Sequence, residues 1–304
     1  SGRTPWSRGG DGRSPLGPVL REYIVSEAMH VLGVPTSRSL AALGTGNEVF
    51  RETSQPGAVL ARVAKSHIRI GTFQYFAARE DTEAVSLLVD HCLQRHYPHR
   101  TDEPIAALAL LEEVVQAQAN LIAHWQLLGF IHGVMNTDNV LISGETIDYG
   151  PCAFMDIFDP DTVFSSIDHA GRYAYRNQPS IGHWNLSCLA QCLLPLLSDD
   201  QEQAVEMAQS TIDRYPELFL DAHRIGMNAK LGWSKTEPGD EELVQDLLTV
   251  LTEQKMDFTL SFRHLSDCAD NGNSEKITDL LIIGPAFLNW IERCRARRPD
   301  PFYP

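Results

Sequence analysis

The sequence lacks any apolar run of the ~18–20 residues that a membrane-spanning helix needs. Its longest candidates, around Ala106–Val115 and Ile277–Ile291, are cut by Glu112, Glu113, Asp279 and Pro285, so no membrane span is expected. It also lacks a Cys-x-x-Cys pair. The six cysteines, at 92, 152, 188, 192, 268 and 294, fit buried thiols in a reducing compartment rather than a disulfide framework. Cys188 and Cys192 stand four residues apart, but no further ligands accompany them, so no metal site is expected there. Basic side chains are outnumbered, 25 Lys and Arg against 40 Asp and Glu, for a formal charge of −15. That excess argues against a broad nucleic-acid surface. Lysine is scarce, Lys65 being the only one before residue 230. No internal repeat, low-complexity tract, initiator Met, signal segment or transit pattern is evident.

What is present is ordinary globular material: 304 residues, 43% hydrophobic and 21% charged, with ample apolar content for a core. The charge is uneven. Residues 1–71 carry nine basic and five acidic side chains, whereas residues 72–304 carry sixteen and thirty-five. A basic N-terminal part suits a small anion. The opening SGRTPWSRGGDGRSPLGP reads as an irregular loop, and because domains rarely begin inside one, the chain is expected to be a piece of a longer protein.

Helical spacing of Leu20, Ile24, Val25, Ala28, Met29 and Leu32 predicts a helix over 19–32, with Gly33 as its cap. Short β-like runs follow at Arg38–Leu43, Glu48–Arg51 and Ala58–Val63, with turns expected at Gly-Thr-Gly-Asn and Gln-Pro-Gly. Helices are expected near 72–78, 82–96, 105–129, 182–197, 201–214, 217–231, 240–253, 256–265 and 285–297. Only 130–176, rich in Gly, Asp, Asn and Tyr, breaks this helical pattern. The expected fold class is α+β, a mixed small lobe (1–71) followed by a mostly helical large lobe (72–304).

The irregular segment carries the chemistry. Residues 130–150 read FIHGVMNTDNVLISGETIDYG. Asp138-Asn139 and Asp148-Tyr149-Gly150 sit on adjoining loops, joined through a short expected strand, Glu145–Ile147. Oxygen donors so placed suit Mg²⁺ held between protein and nucleotide phosphates. Asn139 lies seven residues after His132, as in the protein-kinase catalytic loop, and Asp148-Tyr149-Gly150 parallels the kinase Asp-Phe-Gly. The kinase base position, two after the His, is Val134, which accepts no proton. Asp138 is the nearest carboxylate able to deprotonate a hydroxyl. A polar turn in which Asp138 and Asp148 cap backbone amides remains the alternative. His132 is expected to order the loop. Arg62 and Arg69 suit a fork-shaped anion clamp. Asp11-Gly12 suits close backbone approach to a ligand, and Glu22 suits an ion pair for which no lysine is at hand. The basic cluster Arg293, Arg295, Arg297 and Arg298 reads as a solvated helix end, and His91, His96 and His99 as surface residues.

Taken together, TPWSRGGDGR (4–13), Arg21-Glu22, Ser26–Met29, Arg62–Arg69, His132–Asn139, Thr146–Pro151, Asp168–Tyr173, Gln178-Pro179 and Trp184–Leu186 resemble the selenoprotein O family of protein adenylyltransferases, or pseudokinases. The resemblance implies a protein-kinase-like bilobal fold that binds ATP in a flipped orientation and transfers AMP to Ser, Thr or Tyr hydroxyls of proteins, releasing pyrophosphate. By position, Asp138 matches the proton acceptor, and Asn139 and Asp148 match the ligands of Mg²⁺ or Mn²⁺, Asp148 also lying near the nucleotide. Asp11, Gly12, Arg62 and Arg69 match nucleotide-binding positions, and Glu22 matches the acidic half of a Lys–Glu pair. Protein substrates, no nucleic acid or membrane, a monomeric state and a cytoplasmic location (mitochondrial for a eukaryotic parent with a transit peptide) are the accompanying expectations. The family's Gly-rich loop and pairing lysine would precede Ser1, and its C-terminal end would follow Pro304. The chain alone is therefore expected to transfer AMP poorly. The rival readings are a catalytically silent nucleotide-binding scaffold and a phosphotransferase.

Overall fold

A computed structural model describes residues 2–5, 7, 9–271 and 285–297. The part of the Ile277–Ile291 run before Pro285, and Arg298 of the basic cluster, lie outside them. Helix α1 (Leu16–Val31) begins earlier than its apolar spacing suggests. Gly17 and Pro18 fall in its first turn, where the missing proline N–H has no intrahelical partner to lose. The helix stops where Gly33 takes φ +80°, the left-handed conformation that glycine adopts without strain.

Strands β2 (Arg38–Phe50) and β3 (Ser54–Val63) form a long antiparallel hairpin, and β1 (Ser14–Pro15) pairs with β3 on its other side. Neither expected turn is a turn. Gly44 to Asn47 make a bulge inside β2, where the register shifts between Gly44 and Glu48 and Gly46 takes φ +72°. Gln55-Pro56-Gly57 lies within β3, with Pro56 one residue beyond the pairing with β1, where a missing donor is tolerated. The chain reverses at residues 51–53 instead.

The remainder is helical: α2 (Ile70–Ala77), α3 (Thr82–His96), α4 (Ala106–Leu127), α5 (Gln178–Leu197), α6 (Gln201–Ile212), α7 (Tyr215–Lys230), α8 (Asp240–Glu253), α9 (Phe258–Asn271) and α10 (Pro285–Arg297). A two-stranded ribbon, β4 (Phe130–Ile131) with β5 (Ala153–Phe154), brackets the irregular segment. The expected strand Glu145–Ile147 reduces to single bridges from Thr146 to Val140 and Thr36. Its backbone serves a third segment instead: Thr146 N–H donates to Pro35 and Ser37 N–H donates to the Thr146 carbonyl. The fold is thus α+β.

Helix α4 is the axis of the body, with Leu110, Leu111, Val114 and Ala119 fully buried. The main core joins α2–α6 and also takes in Met29 and Val34 from the N-terminal part. A second core, around Leu247, Leu251, Phe258, Phe287 and Trp290, ties α8, α9 and α10 together. Two surface readings need correcting. Arg293 pairs with Asp246 at 2.5 Å and Arg297 with Asp240 at 2.6 Å, so these two members of the basic cluster fasten α10 to α8 rather than being merely solvated. His96 bonds the Ser66 hydroxyl at 2.9 Å and is partly buried, which pulls its pKa down to about 4. The five cysteines with described side chains are buried, and none of them forms a disulfide among the described residues. Among the described residues no helix is long and apolar enough to cross a membrane.

Candidate active site

The irregular segment is held by neutral, buried hydrogen bonds from the helices around it. Gln118 and Trp125, two turns apart on one face of α4, donate to the Leu141 carbonyl (2.8 Å) and the Thr146 hydroxyl (3.0 Å). Gln178, at the start of α5, accepts from His132 N–H (2.9 Å) and donates to the Phe130 carbonyl (2.9 Å). Asn185, two turns along α5, donates to the Met135 carbonyl (2.9 Å). His132 is fully buried, which lowers its pKa and keeps the ring neutral. Nε2–H then donates to the Ile147 carbonyl (2.8 Å), and Nδ1 accepts from Val134 N–H (3.4 Å). The histidine orders the loop. Each such partner left unmade in the interior would cost about 1–3 kcal/mol.

Within this frame Asn136 accepts from Asp138 N–H (3.0 Å) and shapes a single 3₁₀ turn, Thr137–Asn139. Asn139 Nδ2 donates to the Val134 carbonyl (3.0 Å), so Oδ1 is the atom that could ligate a metal. The Asp138 carboxylate lies against Gly71 in the first turn of α2, where a Cβ would come within 2.3 Å of its Oδ1. The positive end of that helix faces the carboxylate. Arg69, immediately before α2, donates from Nη1 to the Asp138 carbonyl (3.1 Å), and Ile70 N–H donates to the Val140 carbonyl (3.1 Å).

A second group of residues is gathered by α1 and β3. Asp148 takes φ +69°, a conformation rare for a residue with a side chain and one that clusters at functional sites. Glu22 Oε1 accepts from Tyr149 N–H (2.7 Å), and Oε2 faces Arg62 Nη2 at 2.8 Å. Burial raises the Glu22 pKa, Arg62 opposes the rise, and the adjoining Asp148 carboxylate adds to it. One residue back, Arg21 donates to the Cys152 carbonyl (2.6 Å). The buried Tyr149 hydroxyl bonds Thr36. Asn139 and Asp148 offer hard oxygen donors, and Glu22, whose pKa is raised by burial and by the neighbouring Asp148 carboxylate against the pull of Arg62, would be favoured in its charged form by an added cation. Both features fit Mg²⁺ or Mn²⁺. No group of three His, Cys, Asp or Glu able to hold a metal occurs among the described residues, so phosphate or water oxygens must complete such a shell.

The family model "Protein adenylyltransferase SelO" matches residues 1–290. The chain belongs to the SelO family. It is 57% identical over 297 residues to the protein nucleotidyltransferase YdiU of Rhodopseudomonas palustris strain BisB18, covering 98% of this chain and 60% of the relative. The corresponding protein of strain HaA2 is 58% identical over 298 residues (98% and 61%). That of Bradyrhizobium diazoefficiens is 57% identical over 297 residues (98% and 60%). The chain spans about 60% of the length of these curated relatives.

In this SelO-family chain the expected site residues fall into two contact groups, Asp138, Asn139 and Arg69 on one side and Glu22, Arg62 and Asp148 on the other. The two arginines have separate partners, although burial lowers the His67 pKa and both guanidinium charges lower it further. Arg62 is taken by Glu22, in the place expected for a lysine, and Arg69 by the loop carbonyl. Asp11 and Gly12 have other partners. Asp11 pairs with Arg51 (3.0 and 3.1 Å), whose hydrogen bonds hold its pKa down at about 2. Gly12, at φ +64°, has the Gly2 carbonyl where a Cβ would stand. Gly71 was not legible as a site residue. The only sequence signal was a glycine within a helix start, where it lowers helix propensity. The roles of Gln178 and Asn185, buried polar residues inside α5, were equally hidden.

Proposed function

We propose that these residues form the nucleotide-transfer centre of a protein adenylyltransferase, which moves AMP from ATP to a Ser, Thr or Tyr hydroxyl of a protein and releases pyrophosphate. The nucleotide phosphates lie at the seam between a kinase-like small lobe (1–71) and the helical lobe (72–304). The observation that carries this reading is the placement of Asp138 against the α2 N-terminus beside Asn139, with valine at the position where a kinase keeps its base. Asp138 takes the proton of the acceptor hydroxyl as its oxygen bonds the α-phosphorus. The bond from that phosphorus to the β-bridging oxygen breaks, and the charge passes to the departing pyrophosphate. Arg69 sits beside the reacting groups, and Arg62 is within reach once it exchanges Glu22 for phosphate. A divalent cation held by Asn139 and Asp148 supplies further neutralisation of phosphate charge. His132 stays neutral and takes no proton.

The test uses a chain of the relatives' full length containing these residues, incubated with ATP and candidate protein partners and read by intact mass. The expected result is a gain of one AMP that disappears with Asp138→Ala or Asp148→Ala. Transfer of γ-label instead of α-label would establish a phosphotransferase. Nucleotide binding that Asp148→Ala abolishes, with no modified product from the unaltered protein, would establish a silent scaffold.

A further inference from the structure

Several residues of the 168–185 motifs have structural work in the fold. The Asp168 carboxylate accepts from the backbone N–H groups of Arg172 (2.9 Å) and Tyr173 (2.7 Å). Gly171 takes φ +68°, and its carbonyl accepts from Asn177 Nδ2 at 2.8 Å. Asn185 holds the catalytic loop at Met135. The side chains of Arg172 and Trp184 do none of this. The guanidinium carbon of Arg172 lies 4.6 Å from the centre of the Trp184 ring and 5.8 Å from that of Tyr173. No carboxylate among the described residues pairs with Arg172, although Arg38, Arg51, Arg62, Arg100, Arg176 and Arg297 each find one.

In a chain with formal charge −15, an unpaired arginine stacked on an exposed tryptophan is a prepared anion grip. The ring removes water from one face of the guanidinium and fixes its plane, while the N–H edge stays free for a bidentate carboxylate. Trp184 is 43% exposed, so apolar ring surface accompanies the charge. The position is equally telling. Trp184 precedes Asn185, whose bond to Met135 fixes the segment that carries Asp138, and Arg172 lies on the chain that follows Asp148-Tyr149-Gly150.

We propose that Arg172 and Trp184 form a docking site for the acceptor polypeptide, gripping an acidic side chain next to an apolar one near the hydroxyl to be modified. This rests on the adenylyltransferase reading for its occupant. Arg172 binds the carboxylate and Trp184 the apolar neighbour.

The test titrates the chain with a fluorescein-labelled peptide carrying Ser between Glu and Leu, read by anisotropy, against a companion with Lys in place of Glu. The Glu peptide binds more tightly to the wild type. Arg172→Ala and Trp184→Ala each weaken it roughly tenfold without changing binding of the Lys peptide, and Arg172→Glu reverses the preference. Equal or undetectable binding of both peptides would overturn the proposal. So would an Arg172→Ala variant that loses affinity for ATP rather than for the peptide, because the grip would then belong to the nucleotide. AMP transfer to the same peptides, measured by mass with the full-length chain, separates the two readings. Charge-selective binding without transfer leaves the docking site standing and removes the chemistry. Transfer to both peptides with equal kcat/KM leaves the chemistry and removes the docking site.

Discussion

In the α1–β3 segment Val31 is 84% exposed and Phe50 is 75% exposed, whereas α4 in the helical body buries Leu110, Leu111 and Val114 completely. The segment has one helix and a thin sheet, so α1 can cover only one face and both elements keep apolar surface outward. It borrows its core by inserting Met29 and Val34 into the body and adds ion pairs such as Glu27–Arg38 at 2.6 Å. The two regions accordingly hold the site by different forces. The body fixes the Asp138 loop with buried neutral hydrogen bonds, which are directional and insensitive to salt. The segment contributes Glu22 and Arg62, a charged pair at 2.8 Å. One group is held by directional neutral bonds and the other by charge.

The sharpest challenge to this contrast lies at the seam. Gly71→Ala places a methyl group where the Asp138 carboxylate now sits. Because the carboxylate is the movable party, the AMP transfer proposed above, measured in a chain of the relatives' full length, is expected to fall by at least ~100-fold with little change in the thermal midpoint. Retained turnover would mean that the Asp138 position is not critical. Next comes a matched pair of stability measurements by chemical denaturation. Gln178→Leu, which orphans the Phe130 carbonyl and the His132 N–H, costs about 2–4 kcal/mol. Glu27→Gln, which breaks a half-exposed ion pair, costs less than ~1 kcal/mol and is largely masked by salt. Equal costs would erase the distinction between the regions.

The smallest effect concerns Asp11, whose pKa is held down at about 2 from 3.8, chiefly by its hydrogen bonds to Arg51. A carboxyl depressed on folding contributes stability above its unfolded pKa and loses it as pH falls through the folded one. Wild type is therefore slightly more stable than Asp11→Asn above pH 4, and the difference vanishes as pH approaches 2. A difference that persisted below pH 2 would show that Asp11 acts by something other than its charge.

Helices such as α3, α4 and α8 were legible because apolar spacing is a local property of consecutive residues. The β2–β3 hairpin was only partly legible. Gly44–Asn47 and Gln55-Pro56-Gly57 look like turns locally, and pairing with a distant strand makes one a bulge and the other an interior stretch. Asp138, Asn139 and Asp148 stood out from their order and spacing. Gly71, Gln178 and Asn185 did not, because a glycine in a helix start or an amide in an apolar helix acquires meaning only from what packs against it.

The residues alone determined the α+β class, the order of the helices, the loop bearing the candidate base and metal ligands, and the absence of a base at Val134. These follow from periodicity and from side-chain chemistry, both carried by neighbouring residues. Tertiary structure decided that Arg62 answers Glu22 where no lysine is at hand, that Asp11 serves Arg51, and that Arg172 lies over Trp184 with no carboxylate partner among the described residues. These contacts join residues from about a dozen to forty positions apart, and which partner wins is settled by burial and distance, which only the folded chain defines.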